Sequence, residues 1–304
     1  MFDTIIFHYP CNDGIISLWC ANYYKEIPEK IPCKAGLEPQ FNPLNKNILF
    51  VDICPSLEYL TKISKEAKNI LILDHHKTTK DMLENNKEEY PSNLKFIIDM
   101  SKSGCQITWN YFFENTISNE TQTKKPWFID YVADRDLWTW KLENSKEINQ
   151  VFFKKDFFDI KHLDKITKMI DYTKDNILEI VEKGKKLLEI QKKELDESAK
   201  KATERTIIIN DKIYTVWLGY TTGDRSTLGN MLANKLTSKG ILPDFSATWT
   251  FDNKLNEWWI SLRGHDDSPD LSLIAQNYGG GGHKLSSSFT IKFPTTLDDI
   301  FIIK

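Results

Sequence analysis

Short apolar runs that stop at an acid or a histidine punctuate the first third of the chain. Thr4-Ile5-Ile6-Phe7 ends at His8, Ile48-Leu49-Phe50-Val51 at Asp52, Ile70-Leu71-Ile72-Leu73 at Asp74-His75-His76, and Phe96-Ile97-Ile98 at Asp99. Runs this short cannot make a helix on their own and read as buried strands. Between them the apolar period lengthens to helical spacing. It does so over 15–24 after the turn-rich Tyr9-Pro10-Cys11-Asn12-Asp13-Gly14, from Pro55-Ser56 to about Lys68, and over 105–113 after Ser101-Lys102-Ser103-Gly104. Residues 28–45 carry four prolines and predict a loop with one short edge strand. Residues 79–93 are polar and read as an exposed excursion. Strands alternating with helices predict a parallel sheet covered on both faces.

Further on, Ile129, Val132 and Ala133 mark a buried helical face that ends in Asp134-Arg135-Asp136, with Trp138 and Trp140 read as core aromatics. Helical periodicity is weak over 144–172. It is then strong over 175–202, where Ile177, Ile180, Val181, Leu187, Leu188, Ile190 and Leu195 oppose a lysine and glutamate face. From Thr206 the period changes again. Ile207-Ile208-Ile209 and 214–218 flank a hairpin turn at Asn210-Asp211-Lys212. Helices follow at 226–238 and 271–278, with strands at 245–251, 258–262 and 289–293. The expectation is an α/β chain in three parts: a parallel-sheet domain over 1–172, a connecting helix over 173–204, and a smaller α+β domain over 205–304.

The chain has 304 residues, room for two cores. No apolar run approaches the ~18–20 residues of a membrane span, and MFDTIIFHYP has no basic region ahead of its short apolar run, so neither a membrane segment nor a signal peptide is expected. Five cysteines without a C-x-x-C pair argue against a disulfide framework and for a reducing, cytoplasmic setting. A net charge of −3 offers no general attraction for long nucleic acid. Arginine occurs only at 135, 205, 225 and 263, so 36 of the 40 basic residues are lysine and each guanidinium is informative.

In a parallel sheet the polar strand ends collect at the carboxyl edge, where ligands bind. His8, Asp13, Asp52, Asp74, His75, His76 and Asp134 would gather there. Taken singly each has a plainer account: Asp74 as a helix cap, Asp13-Gly14 as a turn. Together, so many carboxylates need a cation, and mixed carboxylate and imidazole donors suit Mn2+ or Zn2+ better than Ca2+. Two ions sharing a carboxylate are a common solution in phosphoryl hydrolysis. Ser103-Gly104 at a helix start could cradle an anion, although capping alone would explain it. In the second half, Gly279-Gly280-Gly281-Gly282 precede His283 and Ser286-Ser287-Ser288. Backbone amides of Gly280, Gly281 and Gly282 could turn toward a ligand, a flexible turn being the plainer reading. Arg263 and His283 form a phosphate or terminal-nucleotide site with the serines, and Arg225 is a further candidate that could equally serve as a cap.

The ordered segments HYPCNDG, VDICPS, LDHHK and YVADRD, then SLRG and IAQNYGGGGHKLSSSF, resemble the DHH/DHHA1 phosphoesterases over nearly the whole chain. That group contains nano-RNases, RecJ-type exonucleases and, more distantly, family II pyrophosphatases. The resemblance implies a DHH catalytic domain followed by a DHHA1 substrate-binding domain. It also implies two Mn2+-type ions, with Mg2+ or Zn2+ as alternatives. Asp52 would bridge them, His8 would serve one, and Asp13, His75 and Asp134 the other. His76 would face the scissile phosphate, Asp74 would orient the histidines, and Arg263 with His283 would hold the far phosphate or terminus. Cys11 stands where the family often has an aspartate. A thiolate there would favour a softer metal such as Zn2+. The reading adopted is a buried small residue, with His8 and water completing the shell. The last segment has serines where alanines and a glycine are usual.

The implied activity is a metal-dependent phosphodiesterase that releases mononucleotides from short single-stranded nucleic acid. A cyclic or linear signalling dinucleotide, or 3′-phosphoadenosine 5′-phosphate, is the alternative substrate, and a catalytically silent nucleotide-binding module is the alternative of another class. A homodimer through the 175–202 helix is weighed against a solvated helix, which is adopted.

Overall fold

The computed structural model describes residues 1–86, 90–114, 123–154 and 157–303. The chain divides into two compact units, Met1–Glu189 and Ile190–Lys304. The first begins β1 (Thr4–His8), α1 (Asn12–Tyr24), β2 (Glu29–Cys33), β3 (Asn47–Val51), α2 (Leu57–Ser64), β4 (Asn69–Asp74), α3 (Lys77–Asn85), β5 (Leu94–Ile98) and α4 (Gly104–Trp109). All five strands run parallel in the order β2-β1-β3-β4-β5. The inner strands β1, β3 and β4 are buried on both faces, so their apolar runs are continuous. Ile5, Phe7, Leu49, Val51, Leu71 and Leu73 face a core shared with α1 and α4. Ile6, Ile48, Phe50, Ile70 and Ile72 face Tyr59, Leu60 and Ile63 of α2. From β1 the chain goes to β2 on one side and then to β3 on the other, which opens a crevice beyond the carboxyl ends of β1 and β3.

The expected edge strand is β2, and its Pro32 is tolerated because only β1 pairs with it. The 79–93 segment differs from expectation. It holds most of α3, anchored by buried Thr79 and by Met82 and Tyr90 against the α2-side core; its residues 87–89 lie outside the described residues. A five-residue π-helical turn, Asn110–Glu114, follows α4. Then come α5 (Trp127–Asp136), α6 (Ser145–Phe152), α7 (Leu163–Lys168) and α8 (Lys174–Lys201). The weak periodicity of 144–172 reflects two short helices, whose Ile148, Val151, Phe152 and Ile166 are buried; residues 155–156 lie outside the described residues.

The second unit contains β6 (Thr203–Ile209), β7 (Lys212–Tyr220), α9 (Arg225–Ala233), β8 (Phe245–Asp252), β9 (Glu257–Arg263), α10 (Leu271–Gln276), β10 (Gly281–His283), β11 (Ser286–Lys292) and β12 (Ile302–Ile303). Its mixed sheet has the order β10-β11-β9-β8-β7-β6-β12. Only β7 and β8 pair in parallel, and α9 makes the crossover that such a pair requires. The helix expected over 226–238 stops at Ala233, because Thr237 turns back to bond Ile241. Among the described residues, no helix is long and apolar enough to cross a membrane.

Candidate metal centre

Three neighbouring strands deliver the polar groups to one edge. β1 ends in His8, and α1 begins so close behind it that a Cβ on Gly14 would lie 2.1 Å from the His8 carbonyl oxygen. The Asp-Gly pair is therefore a requirement of packing as well as a turn. Past β3 the backbone bends at Asp52, whose φ of +57° lies in the left-handed region that Asp tolerates better than most residues. Its N–H still donates to Leu73 O at 2.9 Å. β4 ends in buried Asp74, which accepts from the His75 N–H at 2.8 Å, lies 2.7 Å from His76 Nδ1, and also accepts from the Thr79 hydroxyl. Burial alone would raise the Asp74 pKa, but the charges of His76 and His75 and the bond to His76 hold it down at about 2. Asp74 thus fixes the His76 ring from behind.

Around His75 the acids converge. Its Nε2 lies 3.1 Å from Asp52 Oδ1, 3.4 Å from Asp136 Oδ2 and 3.8 Å from Asp13 Oδ2. The second Asp52 oxygen is 3.2 Å from His8 Nδ1, so the two carboxylate oxygens face two different histidines. Asp13 accepts from the backbone N–H of Gly104 at 2.6 Å and of Cys105 at 3.0 Å. The helix start that could cradle an anion is filled by the chain's own Asp13 side chain. A Cβ on Gly104 would stand 2.6 Å from Asp52 Cβ and 2.9 Å from Asp13 Oδ2, so glycine is required where α4 meets the cluster.

Asp134 is not among these groups. Its carboxylate accepts from the Thr139 hydroxyl and from the N–H groups of Lys141 and Leu142, 2.8 and 3.2 Å away, and closes the loop after α5. Asp136 takes the place expected for it. The sequence held the signal: Ile129, Val132, Ala133 and Asp136 fall at i, i+3, i+4 and i+7, one helical stripe, and Asp134 falls off it. Asp99 also turns aside, bound by Ser101 and Lys102. Trp138 and Trp140, expected in the core, lie with Phe153 around the Arg135 guanidinium, which sits 3.6 Å from the Phe153 ring centre. That arginine serves packing.

The electrostatics show what the cluster lacks. Burial, then the Asp52 and Asp136 charges, push the Asp13 carboxyl up to about 8. Burial disfavours charge on His75, yet the bond to Asp52 and the Asp136 and Asp13 charges raise it to about 10. Asp136, whose side chain keeps 25% of its surface exposed, is raised as well, by desolvation and by the Asp52 charge. Asp52 alone is driven down, by its bonds to His75 and His8. Protons held on Asp13 and His75 balance the carboxylates, a task a divalent cation would perform better. The donors suit one. Ligand atoms of Asp13, His75 and Asp136 lie within 4.8 Å of one another, as do those of His8, Cys11 and Asp52. Burial and the Asp52, Asp136 and Asp13 charges raise the Cys11 thiol well above its ordinary range.

In the second unit, register pairs Ser246 of β8 with Arg263 of β9, Arg263 with Ser286 of β11, and Ser286 with His283 of β10, a polar row on one sheet face. Arg263 donates to Ser226 Oγ at 2.6 Å and to Leu262 O at 2.7 Å. Arg225 starts α9 and lies 5.3 Å from the Trp259 ring centre, while the neighbouring Asp224 is the cap. The glycines form neither a flexible turn nor an open cradle. Gly279, with φ of +73°, ends α10, and the Gly280 N–H donates to Ala275 O at 2.9 Å. Gly281 and Gly282 then pair with Ser288 and Ser287 as β10. A Cβ on Gly280 would meet the Ser288 carbonyl oxygen at 2.1 Å, so close strand approach is what this stretch provides.

No family model matches the chain. It is 29% identical over 302 residues to uncharacterized protein R106 of Acanthamoeba polyphaga mimivirus, covering 94% of this chain and 66% of that protein. It is 24% identical over 240 residues to oligoribonuclease NrnB of Bacillus subtilis, covering 77% of this chain and 56% of that protein. The chain thus spans less than two thirds of the length of either curated relative. Among solved structures, an exopolyphosphatase-related protein from Bacteroides fragilis aligns with a TM-score of 0.46 and 13% identity, covering 97% of this chain and 88% of that one. The chain is DHH/DHHA1-like. In DHH/DHHA1-like terms, LDHHK covers the end of β4 at Asp74 and the His75-His76 that follow it, and IAQNYGGGGHKLSSSF covers the end of α10, β10 and the start of β11.

Proposed function

We propose that this chain is a metal-dependent phosphodiesterase that hydrolyses short oligonucleotides to mononucleotides. The observation that carries the reading is the set of three carboxylates and two histidines at the carboxyl edge of the parallel sheet, with Asp13, Asp52 and His75 buried and His8 and Asp136 on its open side. Asp52 would bridge two Mn2+-class ions, His8 would hold one, and Asp13, His75 and Asp136 the other. Bound there, such ions supply a water of lowered pKa and neutralise charge on the phosphate oxygens. Two backbone amides hold Asp13 in place, so it binds without rearranging. His76, oriented by Asp74, donates to the phosphate oxygen as charge develops there. In the second unit Arg263 and His283, with Arg225, would hold a phosphate or a strand terminus. The net charge of −3 favours a short substrate over long nucleic acid, and the Bacillus subtilis relative is named an oligoribonuclease.

The test is hydrolysis of a labelled RNA dinucleotide with Mn2+, beside a His75→Ala, His76→Ala double variant. Cleavage by the natural chain and none by the variant is expected. Intact di- to pentanucleotides after incubation with a chain shown to bind Mn2+ would overturn the reading.

A further inference from the structure

Cys11 differs from the other four cysteines in what surrounds its sulfur. The thiols of Cys20, Cys33, Cys54 and Cys105 each sit against main-chain carbonyls: Cys105 O, Lys34 O and Leu37 O, Pro55 O, and Ile129 O. Those are small groups used in local packing. The Cys11 sulfur, which also meets the backbone N–H of Gly14, shares its space with a ring nitrogen of His8 and an oxygen of Asp52, all three within 4.8 Å of one another. Its main chain is extended, three residues beyond the end of β1 and at the cap of α1, so both flanks are fixed by regular structure.

The centre therefore contains two donor sets of different chemistry. Asp13, His75 and Asp136 offer oxygen and nitrogen. His8, Asp52 and Cys11 offer nitrogen, oxygen and sulfur. Thiolate selects borderline-soft ions such as Zn2+ and Co2+, whereas carboxylate-rich sets suit Mn2+ and Mg2+. Donors on one Zn2+ lie ~2.0–2.3 Å from it, and so roughly 3–4 Å apart. The three atoms need close by only about an ångström.

We infer that the two halves of the centre are chemically unequal, with Cys11 Sγ ligating the ion held by His8 and Asp52 and giving that position a preference for a thiophilic divalent ion. The inference rests on the two-ion reading above. On binding, the thiol proton passes to solvent and the sulfur electron pair forms the bond to the ion. The Asp13, His75 and Asp136 position keeps its preference for Mn2+.

The experiment strips the full chain with a chelator and reloads it with Co2+. A near-ultraviolet sulfur-to-cobalt charge-transfer band is expected in the natural chain. It should be absent in Cys11→Ser, which keeps the weaker visible cobalt bands. In competition binding, Cys11→Asp should lower the preference for Zn2+ over Mn2+ by on the order of tenfold. Circular dichroism shows that each variant is folded, and Cys11→Asp carries the test if Cys11→Ser is not. Visible cobalt bands without charge transfer in the natural chain would overturn the inference and leave the proposed function standing. So would a charge-transfer band that survives Cys11→Ser, or an unchanged Zn2+ preference in Cys11→Asp. Failure of the stripped chain to bind Co2+, Zn2+ or Mn2+ at all would overturn both.

Discussion

In the first unit Asp13, Asp52 and Asp136 crowd around His75, with His8 on the far oxygen of Asp52, and the set balances its charge by holding protons. In the second unit Arg263 bonds a serine hydroxyl and its own chain, and Arg225 lies against a tryptophan ring. The first arrangement is one that a cation would neutralise, as the proposed function requires. The second keeps its charge, because a guanidinium does not deprotonate. One region should therefore respond to metal and to pH, and the other should respond mainly to the anion it meets.

The largest break in that contrast should come from two acids two residues apart. Asp136→Asn removes a group from the His75 cluster and should weaken Mn2+ binding on the order of a hundredfold, read by calorimetry. Asp134→Asn should leave Mn2+ affinity within a few-fold and instead lower the unfolding free energy by about 1–3 kcal/mol, because it loosens the loop-closing bonds. Equal effects on metal affinity from both would show that the cluster is wrongly drawn. Gly104→Ala should come next. Its Cβ would press on Asp52 and Asp13, costing about 1–3 kcal/mol in urea unfolding and reducing Mn2+ affinity with it. In the second unit, Arg263→Lys should leave Mn2+ affinity unchanged and raise KM for a dinucleotide about tenfold, with kcat held. A loss confined to kcat would place Arg263 elsewhere.

The smallest effect is a slope with pH. His75 titrates near 10 when folded against an ordinary 6.5, and Asp13 near 8 against 3.8, so the folded metal-free chain holds more protons than the unfolded one. What they contribute is fully present below the unfolded values and is lost as pH rises through the folded ones. The thermal midpoint of the metal-free chain should fall as pH rises from about 6.5 to 8, both groups contributing over that window. Saturating Mn2+ should flatten the fall. A slope that Mn2+ leaves unchanged would mean that these two groups do not carry it.

The sheet of the first unit was legible because its inner strands β1, β3 and β4 are continuous apolar runs with polar ends. One rule of edge placement then located His8, Asp52, Asp74, His75 and His76. Asp134 was misplaced because the pattern of acids was weighed without the helical stripe that separates it from Asp136. The role of Gly104 was hidden, since a glycine at a helix start explains itself locally and the carboxylates it admits lie far off in sequence. In the second unit the four glycines suggested mobility. Their strand character depends on the partner strand β11, which no local period announces. The helix at 77–85 was missed because its surface is largely polar and only one face packs.

The bond from Gly104 to Asp13 joins residues 91 positions apart, and the farthest members of the cluster, His8 and Asp136, are 128 apart. An incoming ion has nothing to grip until the strands, α4 and α5 have come together, unlike small zinc modules whose metal drives folding. On the proposed reading, metal capture would therefore be a late event in the life of the chain, a reward for folding and not a guide to it. Refolding from denaturant should proceed at the same rate with and without Mn2+, and only unfolding should slow when the ion is present. A refolding rate that climbs with Mn2+ would mean that the ligands meet early, before the sheet that carries them is complete.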